Sequence, residues 1–157
     1  MSKKTKQVTG RLSSKGFTLI EILIVIGMIA ILATIVLIAI NPARQFAQAR
    51  NTQRANDVNA ILNAIGQYTA DNRGTVPAAI TATVQTVSQS GADLCSVLVP
   101  TYISALPVDP QATNPAPITD CTGAYTTDYQ VSKDSNGRVT VSAATHAELG
   151  QTISVTR

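Results

Sequence analysis

A single acidic residue, Glu21, interrupts an otherwise apolar run that extends from Phe17 to Ile40. A lone carboxylate inside a bilayer is costly enough to indicate a function, and it calls for a partner of opposite charge. The alternative is that Glu21 lies one turn inside the membrane and reaches the lipid headgroups with its side chain. The sequence therefore makes Glu21 the first candidate functional residue.

The residues after Glu21 are long and apolar enough to form a membrane-spanning helix. As a helix, Ile22 to Ile40 would extend about 28 Å, close to the roughly 30 Å hydrocarbon core of a bilayer. The residues before Gly16 include five basic side chains and no acid: Lys3, Lys4, Lys6, Arg11 and Lys15. This charge bias predicts a cytoplasmic amino terminus, with the rest of the chain exported.

The junction between this basic leader and the apolar run differs from that of an ordinary secretory signal peptide. Such a signal has a shorter apolar region that ends in a small-residue cleavage site. Here no such site follows the run, and the small residue, Gly16, precedes it. Cleavage after Gly16 would remove the charged leader and keep the apolar helix on the mature chain.

The segment from Lys15 to Glu21 (KGFTLIE), followed by ILIVIGMIAILATIVLIAI, resembles the amino terminus of type IV pilins and their pseudopilin relatives. The resemblance implies cleavage after Gly16 by a membrane-bound prepilin peptidase, N-methylation of the Phe17 amine, and assembly into a helical homopolymer. It also implies that Glu21 pairs with the Phe17 amine of a neighbouring subunit. Assembly in this family uses a cytoplasmic ATPase and a membrane platform protein.

A second helical segment follows the apolar one. Asn41 and Pro42 predict that the helix restarts or bends, because asparagine is favoured at an N-cap and proline is tolerated at the first helical position. The family likewise has a helix-breaking proline near this point, and a simple kink at the membrane exit is the alternative. From Ala43 to about Asn72, apolar residues recur at three- and four-residue steps with Arg54 and Asp57 between them, which predicts an amphipathic helix. Gly74 is suited to its left-handed cap.

The remaining residues, 75–157, contain short β-type segments. Asn136-Gly137 lies between two of them, which predicts a hairpin of Tyr125–Ser132 and Arg138–Ala144, and Thr152–Thr156 predicts a third strand. Ile80–Val87 is predicted as a strand or an irregular loop, and Asp93–Val99 as a short helix. Pro107–Pro117 is predicted as a surface loop with four prolines.

These elements predict an α+β fold of the pilin type. A long amino-terminal helix, half transmembrane and half amphipathic, is expected to pack on a small antiparallel β-sheet head. The predicted parts are a cleaved leader (1–16), a membrane and filament-core helix (17–41), an amphipathic helix (42–74) and the head (75–157). A head of about 80 residues has little core of its own, so we expect its sheet to pack on the apolar side of the helix.

The two cysteines, Cys95 and Cys121, lie in the part of the chain that the topology argument places outside the cytoplasm. Thiols are oxidised there, and we expect the pair to form a disulfide. A pair of free, buried thiols is the alternative.

The composition argues against a nucleic-acid binder or an enzyme. The chain has a net charge of +3, but without the leader it keeps seven basic and nine acidic side chains. Weak DNA binding by a polymer remains an alternative, because a polymer repeats any small patch many times.

The residues that could support catalysis or metal binding are few. The single histidine, His146, is expected at the surface or a strand end, and no phosphate-binding loop or nucleophile elbow occurs. The four aspartates considered for Ca²⁺ fit solvated turns better than a calcium loop: Asp109, Asp120, Asp128 and Asp134. We therefore expect no catalytic activity, cofactor or metal.

Together these features predict the structural subunit of a type IV pilus. The chain would begin as a single-pass precursor in the inner membrane and end in an extracellular filament for twitching motility, adhesion or DNA uptake. One alternative is a pseudopilin of a type II secretion system. Another, from a different class, is a monomeric membrane-anchored surface domain that binds a ligand and never polymerises.

Overall fold

The computed structural model describes residues 16–157, so the predicted leader, apart from Gly16, lies outside the described residues. Contacts divide the chain into two compact units, with the boundary between Asn41 and Pro42. In the described residues the first unit contains helix α1 (Leu19–Ile40), and the second contains all the other elements. The predicted α+β class is confirmed.

Helix α1 is apolar around its whole circumference. It is 22 residues long, has no buried residue, and reaches a mean hydropathy of 3.2 over an 18-residue window. Its length and composition are sufficient to cross a membrane. The one hydroxyl within the helix, on Thr34, donates to the carbonyl of Ala30 at 2.9 Å, so it brings no unsatisfied donor into an apolar environment.

The interruption predicted at Asn41 and Pro42 lies where α1 ends and the next helix begins. Asn41 adopts a left-handed conformation (φ 47°) and caps the carboxyl end of α1, whereas the sequence pattern predicts it as the N-cap of the second helix. Helix α2 (Pro42–Asp71) starts directly after it. At its other end, Gly74 has a φ of 85° and its amide donates to the carbonyl of Thr69 at 2.8 Å. The predicted glycine cap is therefore present.

Helix α2 buries one side against the head. Its buried residues follow three- and four-residue steps and include polar as well as apolar side chains: Ala47, Asn51, Arg54, Val58, Ile61, Leu62, Ala64 and Ile65. The apolar members beyond Ala47 share one core with side chains of the head such as Leu94, Tyr129 and Val141. The expected packing of the head on the helix is confirmed, because its core is completed by α2.

The head contains a four-stranded antiparallel sheet in the order β1-β2-β3-β4. Its strands are β1 (Gln85–Ser88), β2 (Thr126–Lys133), β3 (Val139–Ser142) and β4 (Ser154–Thr156), and the short helix α3 (Cys95–Leu98) follows β1. The predicted hairpin is confirmed, since β2 pairs with β3 and Gly137 in its turn has a φ of 83°. The open prediction for Ile80–Val87 resolves into a loop followed by β1.

The disulfide expected from the sequence joins Cys95, at the start of α3, to Cys121 in the long loop before β2. Their Cα atoms are 5.4 Å apart and 26 positions separate them in the sequence. The bond ties this loop to the core, because Cys95 is fully buried.

Two predictions about polar residues were wrong. Arg54, expected on the exposed side of α2, is fully buried, and Asp109, expected in a solvated turn, is 1% exposed. The two side chains bind each other, which allows both charges to leave water. The predicted surface loop Pro107–Pro117 is accordingly buried at Val108 and Asp109.

Candidate processing and assembly site

The residues that the sequence selected at the amino terminus of α1 lie together at the end of that helix. Thr18 is the helix cap, its backbone is extended, and its side chain accepts a hydrogen bond from the Glu21 amide at 3.2 Å. The Glu21 carboxylate in turn accepts a longer hydrogen bond from the Thr18 amide at 3.5 Å. This reciprocal pair is a capping box.

The capping box gives Glu21 a local role that the sequence analysis missed. A carboxylate in the first turn also interacts favourably with the partial positive charge at a helix amino terminus. The sequence contained the necessary pattern, since Thr18-Leu19-Ile20-Glu21 has a threonine followed three residues later by a glutamate. Among the residues that the structure describes, the Glu21 carboxylate is thus held by one long hydrogen bond, and its side chain remains exposed.

Phe17 and Gly16 precede the helix and are both exposed, Phe17 to 78%. A Cβ atom placed on Gly16 would meet no atom within 4 Å. Nothing in the described fold therefore requires a glycine at this position. A peptide bond that is exposed and outside regular structure is suited to proteolysis, and its cleavage would create a charged amine four residues before Glu21.

Residues 11–37 match the family model of the prokaryotic N-terminal methylation motif. The chain carries the amino-terminal motif of the type IV prepilin family. The match covers the end of the leader and most of α1, and it does not reach the second unit. Searches of curated proteins and of solved structures gave no match.

The prepilin motif and the apolar α1 together support a membrane-anchored precursor of the pilin or pseudopilin type. The motif implies processing by a prepilin peptidase and polymerisation with pilin-type partners.

A second polar cluster, which the sequence analysis did not predict, lies between α2 and two loops of the head. All five N–H groups of Arg54 are within hydrogen-bond distance of acceptors on Asp109, Glu148, Asn51 and Gln111, at 2.6 to 3.1 Å. Burial lowers the pKa of Arg54, but these hydrogen bonds outweigh it and leave the pKa above its ordinary value. The cluster therefore fixes a permanently charged group inside the second unit.

Glu148 extends this cluster to the surface. Its carboxylate accepts two hydrogen bonds from Arg50, at 2.6 and 2.7 Å, and one from Arg54 at 3.0 Å. The hydrogen bonds from Arg50, and after them those from Arg54, lower the pKa of Glu148 to about 2. A carboxylate with such a low pKa stays charged at any physiological pH, which suits a structural role rather than proton transfer.

The other residues considered for chemistry do not form a site. His146 Nε2 is 3.6 Å from an oxygen of Asp128, and its side chain is 31% exposed. Asp120 and Asp134 accept hydrogen bonds from backbone amides two residues further on, as turn residues do. Across residues 16–157, no group of three or more histidine, cysteine, aspartate or glutamate side chains is placed to hold a metal ion.

Proposed function

We propose that this chain is the subunit of a type IV pilus, cleaved after Gly16 and methylated on the new Phe17 amine. The mature chains polymerise through α1, and the heads form the outer surface of the fibre. Before assembly the chain spans the inner membrane once, with its amino terminus in the cytoplasm. The prepilin motif in residues 11–37 is the observation that carries this proposal.

Glu21 is the proposed assembly residue, and its partner is the Phe17 amine of a neighbouring subunit. Among residues 16–157, the Glu21 carboxylate has only the long hydrogen bond from Thr18, which leaves acceptor capacity on both carboxylate oxygens. A charged amine brought to this carboxylate in an apolar fibre core would neutralise both groups together. Because α1 is apolar on every side, packing between copies does little to fix the axial position of one helix relative to the next. A single ion pair can fix that position.

Two variants at Glu21 test this role. In cells that contain a prepilin peptidase and a pilus assembly system, Glu21→Gln keeps the shape of the side chain and removes its charge, whereas Glu21→Ala removes both. Both variants should insert in the membrane and be cleaved, yet neither should give normal fibres in electron micrographs of sheared surface material. Abundant normal fibres from Glu21→Gln would contradict the assembly role.

Mass analysis of the mature chain tests the processing step. The expected product begins at Phe17 and carries one additional methyl group. A Gly16→Leu variant is the matched control: the fold accepts a side chain there, so the head should fold while the leader stays attached. An intact leader on the unmodified chain, in cells with an active peptidase, would contradict the proposal and favour the monomeric anchored domain. Cleaved chains that form only short fibres in the cell envelope would favour a pseudopilin.

A further inference from the structure

The charged side chains of the head are divided between the two ends of strand β2. Residues 74–132 contain four acidic residues and no lysine or arginine. Two of these acids are Asp120, in the long loop before β2, and Asp128, near the start of the strand. Lys133 is the last residue of the same strand. One end of β2 is therefore acidic and the other is basic.

At the acidic end, Asp120 and Asp128 line an open cavity of about 700 Å³ between the long loop and the start of β2. Among residues 16–157, they are the only charged residues that line this cavity. Asp120 accepts hydrogen bonds from the amide and the hydroxyl of Thr122, at 2.9 and 2.7 Å. The nearest basic atom to Asp128 is His146 Nε2 at 3.6 Å, which is beyond hydrogen-bond distance. We call this cavity, with its two carboxylates, the loop cavity.

At the basic end, Lys133 and Arg157 lie in one row across the sheet. Lys133 is opposite Val139 in the pairing of β2 with β3, and Arg157 exchanges both backbone hydrogen bonds with Val139, at 2.7 and 3.0 Å. Residues directly opposite each other in antiparallel strands have their side chains on the same face. Arg157 donates to the neutral side-chain oxygen of Asn63. In the described part of the chain neither cation has an ion pair with an acidic side chain. We call Lys133 and Arg157 the hairpin surface.

These two surfaces cannot neutralise each other within one chain. Five residues of extended strand separate Asp128 from Lys133, which corresponds to about 16 Å. This distance is about twice the Debye length at physiological ionic strength. Complementary surfaces at opposite ends of one molecule can instead bind from copy to copy, in a heterologous contact that repeats along an open array.

We propose that the hairpin surface of one head binds the loop cavity of a second copy in the assembled fibre. Each chain supplies one surface of each charge, so a second copy provides the complement in equal number. The inference rests on the proposed function, because α1 must first bring the copies together. Exposed ion pairs are individually weak, but the high effective concentration within a polymer makes weak contacts count. Apolar packing of α1 holds the copies, and charge complementarity selects which surfaces of the heads meet.

Carbodiimide cross-linking of sheared fibres tests this contact, because Lys133 is the only lysine in residues 17–157. The reagent activates a carboxylate, the lysine amine attacks the activated carbonyl, and a urea leaves as the amide bond forms. It therefore joins only groups that already touch. In fibres made from ordinary and isotope-labelled chains, mass analysis should find amides between Lys133 of one copy and Asp120 or Asp128 of another. Lys133→Arg is the matched control, since it keeps the charge and the fibres but removes the amine.

Charge reversal provides a second test. Lys133→Glu with Arg157→Glu reverses the hairpin surface, and Asp120→Lys with Asp128→Lys reverses the loop cavity. Each pair alone should reduce the amount of fibre about fivefold, whereas all four substitutions in one chain should restore it, because the surfaces are again complementary. Asp128 has a φ of 61°, which asparagine tolerates better than lysine does. If the lysine pair does not fold, Asp120→Asn with Asp128→Asn takes its place and should also reduce the amount of fibre.

The outcomes separate this inference from the function on which it rests. Absence of fibres from the unmodified chain, in cells with a working assembly system, contradicts the proposed function and the contact together. Fibres in which Lys133 is joined only to other carboxylates, or to none, overturn the contact alone. Normal amounts of fibre from both reversed pairs also overturn it. So does a folded fourfold variant, checked by circular dichroism, that gives no more fibre than either pair.

Discussion

Helices α1 and α2 follow each other directly in the chain, yet they differ in what covers their apolar side chains. None of the 22 residues of α1 is buried, whereas α2, with 30 residues, buries eight. The apolar side of α2 finds its partner in the head of the same chain. Helix α1 is apolar on every side, so its surroundings must come from lipid or from other chains.

The two helices also differ in the burial and hydrogen bonding of their charged side chains. The one charged residue of α1, Glu21, is exposed, and within the described part of the chain its carboxylate accepts a single long hydrogen bond, from Thr18. On α2 the charged Arg54 is fully buried, and its hydrogen bonds are completed within the unit. From this contrast we expect substitutions in the Arg54 cluster to change the stability of the head. Substitutions at Glu21 should change assembly and leave that stability as it is.

The largest effect is expected from Arg54→Ala. This substitution leaves Asp109 buried, 1% exposed, without its bidentate partner. Breaking a buried pair in this way costs about 3–5 kcal/mol. Chemical unfolding of the full-length chain in detergent, followed by tyrosine fluorescence, would measure the loss. Glu21→Ala is the matched control on the other helix, and it should change the free energy of unfolding by less than about 0.5 kcal/mol.

A double variant distinguishes the effect of the charged pair from the effect of the side-chain volume that it occupies. Arg54→Met combined with Asp109→Leu replaces both charges by apolar side chains, which is often neutral or stabilising. We expect it to recover most of the stability that Arg54→Ala loses. A cost of less than about 1 kcal/mol for Arg54→Ala would show that the buried pair contributes little, and the contrast between the helices would then rest on apolar burial alone.

The next largest loss of unfolding free energy is expected from removal of the disulfide. Cys95 and Cys121 are separated by 26 positions in the sequence, and a loop of that length corresponds to about 3.5 kcal/mol in the chain-entropy model. Reduction, or replacement of both cysteines by alanine, should therefore lower the unfolding free energy of the head. The helical circular dichroism of α1 in detergent should persist under reduction. Simultaneous loss of α1 helicity would contradict the independence of the two units.

A smaller effect is expected from Tyr129→Phe. The hydroxyl of this fully buried tyrosine donates to a carboxylate oxygen of Asp57, on α2, at 2.7 Å. Burial raises the pKa of Asp57, and the Tyr129 hydrogen bond acts against that rise. Without the hydroxyl we expect a loss of about 1.5–2 kcal/mol in unfolding free energy. Tyr68→Phe is a suitable control because it keeps the edge-to-face ring contact with Tyr102. Equal losses of unfolding free energy for the two variants would show that the Tyr129 hydrogen bond to Asp57 contributes no more to stability than the Tyr68 hydroxyl does.

Much of this fold could be predicted because local patterns determine it. The hairpin around Gly137, the end of α2 at Gly74 and the break at Asn41 follow from the conformations that glycine, asparagine and proline favour. The length and uniform apolar character of α1 likewise follow from composition alone. Each of these features depends on a few neighbouring residues, so no knowledge of long-range contacts was needed.

The buried charges could not be predicted in the same way. Arg54 occupies a position in the three- and four-residue pattern of buried α2 residues, between Asn51 and Val58, so its spacing was a usable indication. No comparable indication exists for Asp109, which is 55 positions away and is buried only because the chain folds it onto Arg54. The loop that contains Glu148 is likewise held by hydrogen bonds to Arg50 and Asn51 on α2, which are distant in the sequence. Such pairings arise from tertiary structure, which a local pattern does not contain.

The smallest effect is a pH dependence that isolates Glu148. Its pKa is lowered to about 2, from 4.5, chiefly by the hydrogen bonds from Arg50. A carboxyl with a lower pKa in the folded state stabilises the fold above its unfolded pKa and loses this contribution as the pH falls toward 2. Glu148→Gln cannot titrate, so its melting temperature should be lower than that of the unmodified chain at pH 6. The difference should shrink as the pH falls from about 4.5 to about 2.

Thermal unfolding of the two proteins at several pH values between 6 and 2 would measure this difference. Asp120 and Asp134 also have lowered pKa values, but both proteins contain them and their contributions cancel in the comparison. Glu21→Gln provides the contrast on α1, because its carboxylate has no ion pair among the described residues 16–157. Its melting temperature at pH 6 should equal that of the unmodified chain. A gap between Glu148→Gln and the unmodified chain that stays constant down to pH 2 would show that the Arg50–Glu148 pair does not hold the loop through charge. The loop would then be held by the Asn51 hydrogen bonds, which do not titrate.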